Sequence, residues 1–208
     1  KTGDPDVVKY TTTVEDTQAA STTFIAVADR PNVVFTLANT SFASTNSFSA
    51  RKLTVTTSGT ADNGKTVTIV GTDLNDKALT EVITSTGSAE TISGAKYFKT
   101  IVSATCSAQY AANVSVGMTN LVTMNLITGR ARLKAFTTIS KGASTRIDFM
   151  NGFAPADSST STVFSTKTSG VNNAADDVYI PDEGVLFAQN LMVQFDLSGA
   201  HLLTAFHA

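Results

Sequence analysis

The amino-acid sequence predicts an all-β protein: an antiparallel β-sandwich or jelly-roll-like fold, built as two β units with short turns and little or no helix. Short β-branched and aromatic runs alternate apolar with polar side chains, and turn residues separate these runs at intervals of about ten residues. Of the 208 residues, 34 are Thr and 20 are Ser. Hydrophobic residues make up 42%, which is enough to build a core, so disorder is not expected.

Three consecutive runs in the first half predict a meander. Residues 53–56 alternate apolar and hydroxyl side chains, and the run 66–70 does the same. Asn63-Gly64 lies between these two runs and favours a hairpin, because both residues tolerate positive φ. A second turn-rich stretch leads into the run 78–84. We therefore expect these three runs to pair in order as hairpins.

Eight more runs are predicted as strands by the same signals. They are residues 33–37, 97–102, 113–117, 147–149, 162–165, 185–187, 191–197 and 202–206. The Ala-rich stretch 104–112 lacks a capping box and is interpreted as one helical turn at most. Ten or more strands exceed what one sandwich commonly contains, so two β units are expected.

Three segments are predicted along the chain. Residues 1–20 are polar and are interpreted as an N-terminal arm, residues 21–126 as a β-sandwich unit, and residues 127–208 as a second β unit. A stretch with Gly at both ends, 117–129, separates the meander from the next strand. No run approaches the roughly 18 apolar residues of a membrane span, and the first residues have no apolar core typical of a signal peptide.

Charge is distributed unevenly in the second half. Five bases fall within 17 residues and precede seven acids and one base between 148 and 196; the five bases are Arg130, Arg132, Lys134, Lys141 and Arg146. The first three alternate with Ala131, Leu133 and Ala135. We interpret this run as a solvated edge strand whose charges prevent edge-to-edge pairing. The alternative is a contact between basic and acidic surfaces of neighbouring copies.

No residue is assigned a catalytic, cofactor-binding or metal-binding role. His201 and Cys106 are isolated and are interpreted as structural. The segment 73–76 begins like a calcium loop, but Lys77 occupies its fifth position and the later Glu is missing. Stretch 142–145 lacks the spacing of a phosphate-binding loop. The net charge of -2 argues against general nucleic-acid binding.

Two acidic pairs, Asp176-Asp177 and Asp182-Glu183, flank residues 178–181. We interpret them as solvated turns. A calcium site and a carboxylate pair for glycoside hydrolysis are the alternatives. The chain contains no Trp and only four Tyr, which weakens a sugar-binding cleft, since sugar sites favour aromatic platforms.

Five stretches form a strand–turn–strand pattern shared with a known type of protein. They are Thr66 to Glu81, Lys96 to Ile101, Asn113 to Gly117, Tyr179 to Phe187 and Leu191 to Val193. Together they resemble small virion structural proteins of tailed bacteriophages, notably those of marine and cyanobacterial phages. The resemblance covers about 50–120 and 178–207, and it carries no invariant chemistry.

The resemblance implies a non-enzymatic component of the phage particle, located in the virion and assembled in the bacterial cytoplasm. The leading expectation is a capsid decoration or cement protein that binds the outside of the head as a homo-oligomer. Its partners would be other copies and other phage structural proteins such as the major capsid protein, without direct nucleic acid, membrane or cofactor. The alternatives are a tail, adaptor or fibre-base component, a carbohydrate-binding β-sandwich module for host attachment, and a hydrolase on a β scaffold.

Overall fold

The computed structural model describes residues 8–14, 20–42, 49–140, 146–152, 161–168, 170–171, 174–196 and 201–207. Fifteen strands and no helix occur in these ranges, and they form several antiparallel sheets, so the predicted all-β class is confirmed. The described residues contain no helix that could cross a membrane.

The strands follow in chain order. They are β1 (Val8–Val14), β2 (Ser21–Asp29), β3 (Ser49–Thr57), β4 (Thr66–Thr72), β5 (Ala78–Thr84), β6 (Glu90–Phe98), β7 (Thr100–Cys106), β8 (Val114–Ile127), β9 (Ala131–Ser140), β10 (Arg146–Asn151), β11 (Ser161–Lys167), β12 (Ala175–Tyr179), β13 (Val185–Phe187), β14 (Leu191–Asp196) and β15 (His201–His207).

The chain forms two compact units. The first comprises Ala19–Ala43 and Phe48–Val122, and the second comprises Lys1–Gln18, Ser44–Ser47 and Thr123–Ala208. Strand β8 contributes its beginning to the first unit and its end to the second. The two units divide between residues 122 and 123. The boundary predicted from the sequence lies between residues 126 and 127 and stays a prediction. The predicted N-terminal arm includes β1, which pairs with β15 in the second unit.

In the first unit, two antiparallel sheets enclose a core, as in a β-sandwich. One sheet runs β8-β3-β6, with β2 paired to β8, and the other runs β5-β4-β7. Alternate residues of β3 and β4 point into the core, among them the fully buried Leu53, Val55, Val67 and Ile69. Burying each such side chain stabilises the fold by about 1.5–3 kcal/mol, so the alternation in sequence is what sets these strands facing each other.

The predicted meander is wrong at its first turn. Strand β3 pairs with β6, whereas β4 pairs with β5 and β7, so β3 and β4 belong to different sheets. Gly64 has φ of 76°, as the turn signal requires. The turn nevertheless connects two sheets, and its Gly64 N–H donates to Ser85 O at 2.9 Å. The second predicted turn does form a hairpin, from Thr66–Thr84 to Thr72–Ala78.

The second unit contains two further antiparallel arrays. One runs β1-β15-β9-β12 with β13 also paired to β9, and the other runs β11-β10-β14-β8. Three aromatic rings pack together between them: Phe136 lies 4.8 Å from Phe149 and 5.8 Å from Phe164, measured between ring centroids. Such ring pairs contribute about 0.5–1.5 kcal/mol beyond their buried area. This cluster therefore joins β9 to β10 and β11.

The basic run at 130–136 is not an edge strand, which corrects the sequence-based interpretation. Strand β9 pairs with β15 on one side and with β12 and β13 on the other. The register with β15 also shifts, because Ala135 faces Phe206 and Leu133 faces His207, which leaves Lys134 as an extra residue. Beyond this bulge Phe136 is the buried residue and Ala135 is only half-buried, so the predicted alternation ends there.

Candidate functional site

The solvent face of the sheet β5-β4-β7 is an uncharged surface. Cross-strand partners in a sheet point to the same side, so the register shows which residues share the face. On this face lie Thr66, Thr68, Val70, Thr72, Ala78, Thr80, Val82, Thr84, Thr100, Val102, Ser103 and Thr105. Seven of the twelve are Thr and none carries a charge. We call this set the neutral face.

The neutral face is arranged in rows that cross the sheet. Val82, Thr68 and Thr105 form one row, and an antiparallel bridge between Val34 and Thr105 extends it. In another row the hydroxyls of Thr72 and Thr100 are 2.7 Å apart and hydrogen-bond to each other. Val82 and Val102 are 55% and 68% exposed. The face therefore presents β-branched apolar groups and neutral hydroxyls to solvent.

One edge of this sheet is closed by a chain segment that was predicted as a strand at 33–37. The segment follows β7 irregularly, and its Phe35 N–H donates to Ala104 O at 3.0 Å. The Cys106 N–H donates to Val33 O and the Ile101 N–H to Thr40 O, each at 2.7 Å. Because these bonds use the outward polar groups of β7, that edge is not open for pairing with another strand.

Near the opposite edge a buried carboxylate, Glu81 on β5, connects the sheet to β6. Strand β6 has the three residues 94–96 where its partner β3 has only Leu53. This bulge leaves N–H groups without a ladder partner, and Glu81 Oε1 accepts from Ala95 N at 2.5 Å and from Lys96 N at 3.1 Å. Glu81 is 8% exposed. Its side chain therefore links the two sheets of the first unit.

Two further contacts fit β5 against β6 at the same place. A side chain at Gly94 would collide with Glu81 Oε2, so the absence of a Cβ there lets the carboxylate approach the bulge. The Lys96 ammonium donates to Thr80 O at 2.7 Å, on the outer edge of β5. A lysine on a strand edge discourages further pairing. Both edges of this sheet therefore carry contacts from other segments of the chain, whereas its outer face is left to solvent.

Charged groups lie around the neutral face, at the ends of its strands. At one end, Lys99 Nζ lies 2.7 Å from Asp76 Oδ1. At the other, Lys65 Nζ lies 2.8 Å from Asp62 Oδ1 and donates to Gln109 O at 2.6 Å. A neutral centre with a polar rim is the usual composition of a protein–protein interface.

Asp62 is a structural carboxylate rather than a candidate acid or base. It is 1% exposed, and its Oδ1 also accepts from Ala111 N at 2.7 Å. Burial raises the pKa of Asp62. The Ala111 N–H and the Lys65 ammonium together lower it by a larger amount, so the pKa of Asp62 lies below its ordinary value. The nearby Tyr110 is fully buried and its hydroxyl is 3.1 Å from Ser85 Oγ; burial raises the pKa of Tyr110.

The calcium-like stretch 73–76 forms the hairpin turn between β4 and β5. Asp73 Oδ1 accepts from Asn75 N at 2.8 Å and from Lys77 N at 3.0 Å, and Asp76, with φ of 61°, is paired with Lys99. These carboxylate oxygens therefore serve the turn, in agreement with the interpretation as a turn. No cluster of three His, Cys, Asp or Glu side chains that could hold a metal occurs among the described residues.

In the second unit, the predicted basic and acidic segments meet within one chain. Arg132 Nη2 lies 3.0 Å from Glu183 Oε2, and Lys134 Nζ donates to Asp182 O at 3.3 Å. Arg146 Nε lies 2.8 Å from Asp148 Oδ1, which also accepts from Ser165. Part of the charge asymmetry is therefore neutralised internally, which weakens the alternative of a basic–acidic contact between copies.

Of the remaining candidates, Cys106 is the one whose side-chain surroundings the structure describes. Cys106 is 6% exposed, and burial raises the pKa of its thiol to about 11, so it is not a thiolate nucleophile. The backbone of His201 pairs with Ser140, and residues 142–145 lie outside the described residues, as does Lys141. Arg51, which no sequence pattern singled out, is fully buried and its Nη1 donates to Thr119 O at 3.3 Å.

A shallow cavity of about 260 Å³ lies between the end of β2 and the segment that follows it. Its lining is mainly apolar, with Asp29 and Thr36 as its polar side chains; the other lining residues are Val27, Ala28, Pro31, Phe35 and Ala38. The volume is slightly below the roughly 300–1,000 Å³ of ordinary ligand pockets. No pair of titratable groups converges on it.

The neutral face was partly visible in the sequence. The period-2 alternation of 66–70 and 78–84 assigns Thr and Val to one side of each strand, but only the register shows that the sides are shared. No sequence pattern singled out Glu81 or Gly94. Their contact depends on the bulge of β6 against β3, and β5 is not a sheet neighbour of β6.

Comparison with known proteins found no protein-family model that matches the chain and no significantly similar curated protein. Its family is therefore not identified, and the resemblance to phage virion proteins stays a prediction.

Proposed function

We propose that this chain is a non-enzymatic structural protein of a tailed-bacteriophage particle, with decoration of the capsid exterior as its leading role. The observation that carries the proposal is the neutral face, twelve outward positions without a charge on a sheet with two closed edges. A surface of this kind binds by shape and by burial of β-branched side chains. The sequence resemblance to virion proteins supplies the particle as the setting.

The use of the buried acids supports the same proposal. Asp62, Asp73 and Glu81 each accept hydrogen bonds from backbone N–H groups, and each is at most 9% exposed. Acids that hold turns and bulges in place cannot transfer protons to a substrate without loss of those bonds. In this proposal, the polar chemistry of the first unit serves the fold, and its function resides in its surface.

The proposal is tested on particles of a phage that encodes this chain. Quantitative mass spectrometry of purified particles should find the chain in hundreds of copies, whereas a tail component would be present only in a small ring. Particles that lack the chain should release DNA at a lower temperature in a fluorescent-dye release assay. Absence of the chain from purified particles would overturn the proposal, and a small copy number would assign it to the tail.

One observation favours the carbohydrate-binding alternative. Tyr179 ends β12 with 76% of its side chain exposed, and Asp177 on the same strand is also exposed. An exposed aromatic ring beside a carboxylate is a common way to hold a sugar ring and its hydroxyls. Binding on a glycan array that is lost in Tyr179→Ala, but kept in the control Val163→Ala, would support this alternative over capsid decoration.

A further inference from the structure

We infer that the neutral face is the surface through which two copies of this chain pair, face against face. The inference rests on the proposed structural function and deepens it by assigning the self-association to particular residues. Three observations support it, namely the absence of charge on the face, its hydrogen-bonding groups and the contacts at its edges, and the size of the face sets the strength of the pairing.

The first observation is electrostatic. Two copies that meet through a surface with an excess of one charge sign bring like charges together, and like charges in contact oppose binding strongly. The neutral face has no charged position, so a copy can meet its own face without this cost. By contrast, the outward residues of β9 include Arg132 and Lys134, so two such surfaces would repel each other.

The second observation concerns hydrogen bonding. Seven of the twelve outward residues are Thr, and each hydroxyl can both donate and accept. A hydroxyl array is therefore complementary to itself in any register, whereas an array of acceptors alone is not. The exposed methyl groups of Val82 and Val102 add apolar area that water leaves on pairing.

The third observation is that the edges are closed. Residues 33–41 hydrogen-bond to β7 along one edge, and Lys96 donates to Thr80 O along the other. These contacts oppose extension of the sheet by a strand of a second copy, most strongly at β7. Face-to-face packing remains as the way for this sheet to bury its surface, as sheets do at a spacing of about 10 Å.

The size of the face determines how strong the pairing is. Three strands of seven residues, at strand spacings of about 4.8 Å and rises of about 3.3 Å, cover roughly 330 Å² of sheet plane. This is well below the roughly 800 Å² per partner of a stable complex. The face is too small for a permanent dimer. It suits a weak contact that becomes effective when many copies are fixed on one scaffold.

The experiment is sedimentation-velocity ultracentrifugation of the purified full chain. The weight-average mass of wild type should rise from monomer towards dimer as concentration increases to about 1 mM, the range of weak interfaces. Val82→Arg and Val102→Arg should each raise the dissociation constant at least about tenfold, because each puts a charge in the paired surface. Val82→Thr, which keeps the face neutral, should still associate.

The matched control is Val163→Arg. Val163 is an exposed valine on β11 in the second unit, outside the neutral face. This variant should associate as wild type does. Thermal unfolding of each variant checks that it is folded, and the two arginine variants lie on different strands, so the misfolding of one leaves the other as a test. A wild type that stays monomeric to about 1 mM would overturn the inference.

A mixing experiment shows whether the same face meets itself. The double variant Val82→Arg/Val102→Arg and the double variant Val82→Glu/Val102→Glu should each be monomeric alone. Mixed at low salt, they should associate, because a positive face then meets a negative one. If the mixture stays monomeric while wild type dimerises, the partner surface lies elsewhere on the second copy and the inference is wrong.

The inference and the proposed function fail separately. If the chain is abundant on particles and Val82→Arg/Val102→Arg is incorporated as well as wild type, the inference fails and the proposed function stands. If the chain pairs through the neutral face but is absent from particles, the inference stands and the proposed function fails.

Discussion

Two solvent-facing strands, β4 in the first unit and β9 in the second, both alternate inward and outward side chains, but they differ in what points outward. On β4 the outward residues are Thr and Val. On β9 they begin with Arg132 and Lys134, and these side chains contact Glu183 and the backbone of Asp182. The two strands share the same alternation. On β4 it produces a neutral surface without intrachain ion pairs, and on β9 it produces a charged surface whose groups already have partners.

This difference shows that the period of a strand predicts which side chains point outward, but not whether that surface is free to bind a partner. A face is available to a partner when its groups are not already satisfied and its sheet edges are closed. On the neutral face only some hydroxyls are bonded within the chain, such as those of Thr72 and Thr100, and the segment 33–41 and Lys96 contact the two edges of the sheet. The charged face of β9 instead forms part of a network within one chain.

The largest effect on stability is expected from substitution of Glu81. Glu81→Ala removes the charged acceptor of two part-buried hydrogen bonds, from Ala95 N and Lys96 N, and the free energy of unfolding should fall by about 3 kcal/mol in urea titration. Glu81→Gln keeps an acceptor oxygen and should lose less than half as much. As a control, Glu90→Ala removes a β6 carboxylate that accepts from Thr86 in solvent-exposed contacts, and it should cost much less than Glu81→Ala. Equal losses for Glu81→Ala and Glu90→Ala would contradict this account of the edge.

The next largest effect is expected at Gly94, opposite Glu81. Gly94→Ala places a methyl group against Glu81 Oε2, and we expect a loss of about 2 kcal/mol in the same titration. In the Glu81→Ala background the same change should cost much less, because the carboxylate that it strikes is gone. Additive losses in the double variant would show that the two residues do not oppose each other.

A smaller effect is expected from pH at Asp62. Its pKa is lower in the folded than in the unfolded chain, so its contribution is present above the unfolded pKa and is lost as pH falls through the folded pKa. Stability measured from pH 7 downward should therefore fall below about pH 4. The fall should be shallower in Asp62→Asn, by roughly the 1 kcal/mol of one hydrogen bond. Identical pH profiles for the two proteins would refute the assignment.

The smallest effect is expected on the charged face. Arg132→Ala breaks the pair with Glu183, which is 81% exposed, so the free energy of unfolding should change by less than about 0.5 kcal/mol. Self-association should be unchanged, in contrast to Val82→Arg. The measurement is urea unfolding together with sedimentation. A loss above about 1 kcal/mol would mean that this pair is structural and that the two faces are more alike than we infer.

Much of the strand content was predictable, because it follows from local alternation. The hairpin of β4 and β5 was predicted correctly from two alternating runs and the turn residues between them. The Asn63-Gly64 turn was not, because a turn signal specifies local backbone angles and not which strand will be the neighbour. Long-range pairing placed β3 beside β6 instead.

The interpretation of β9 failed for the same physical reason. Alternating bases are typical of a guarded edge, but β15 and β12 pair with β9 from distant parts of the chain. The neutral face was half predictable: the outward Thr of 66–72 can be recognised in the sequence, whereas their alignment with Val82 and Thr105 needs the register. Glu81 was not predictable, since its partners exist only because β6 bulges.

The pairing of β1 with β15 has a consequence for synthesis. The register runs from Val8–His207 to Val14–His201, so the two strands are separated by roughly two hundred residues. On the ribosome, the first unit has all its residues by position 122, whereas β1 must wait until β15 has been made. Nascent chains interrupted before β15 would leave both β1 and β9 with an open flank. Synthesis of β15 is thus what gives both strands their pairing partner.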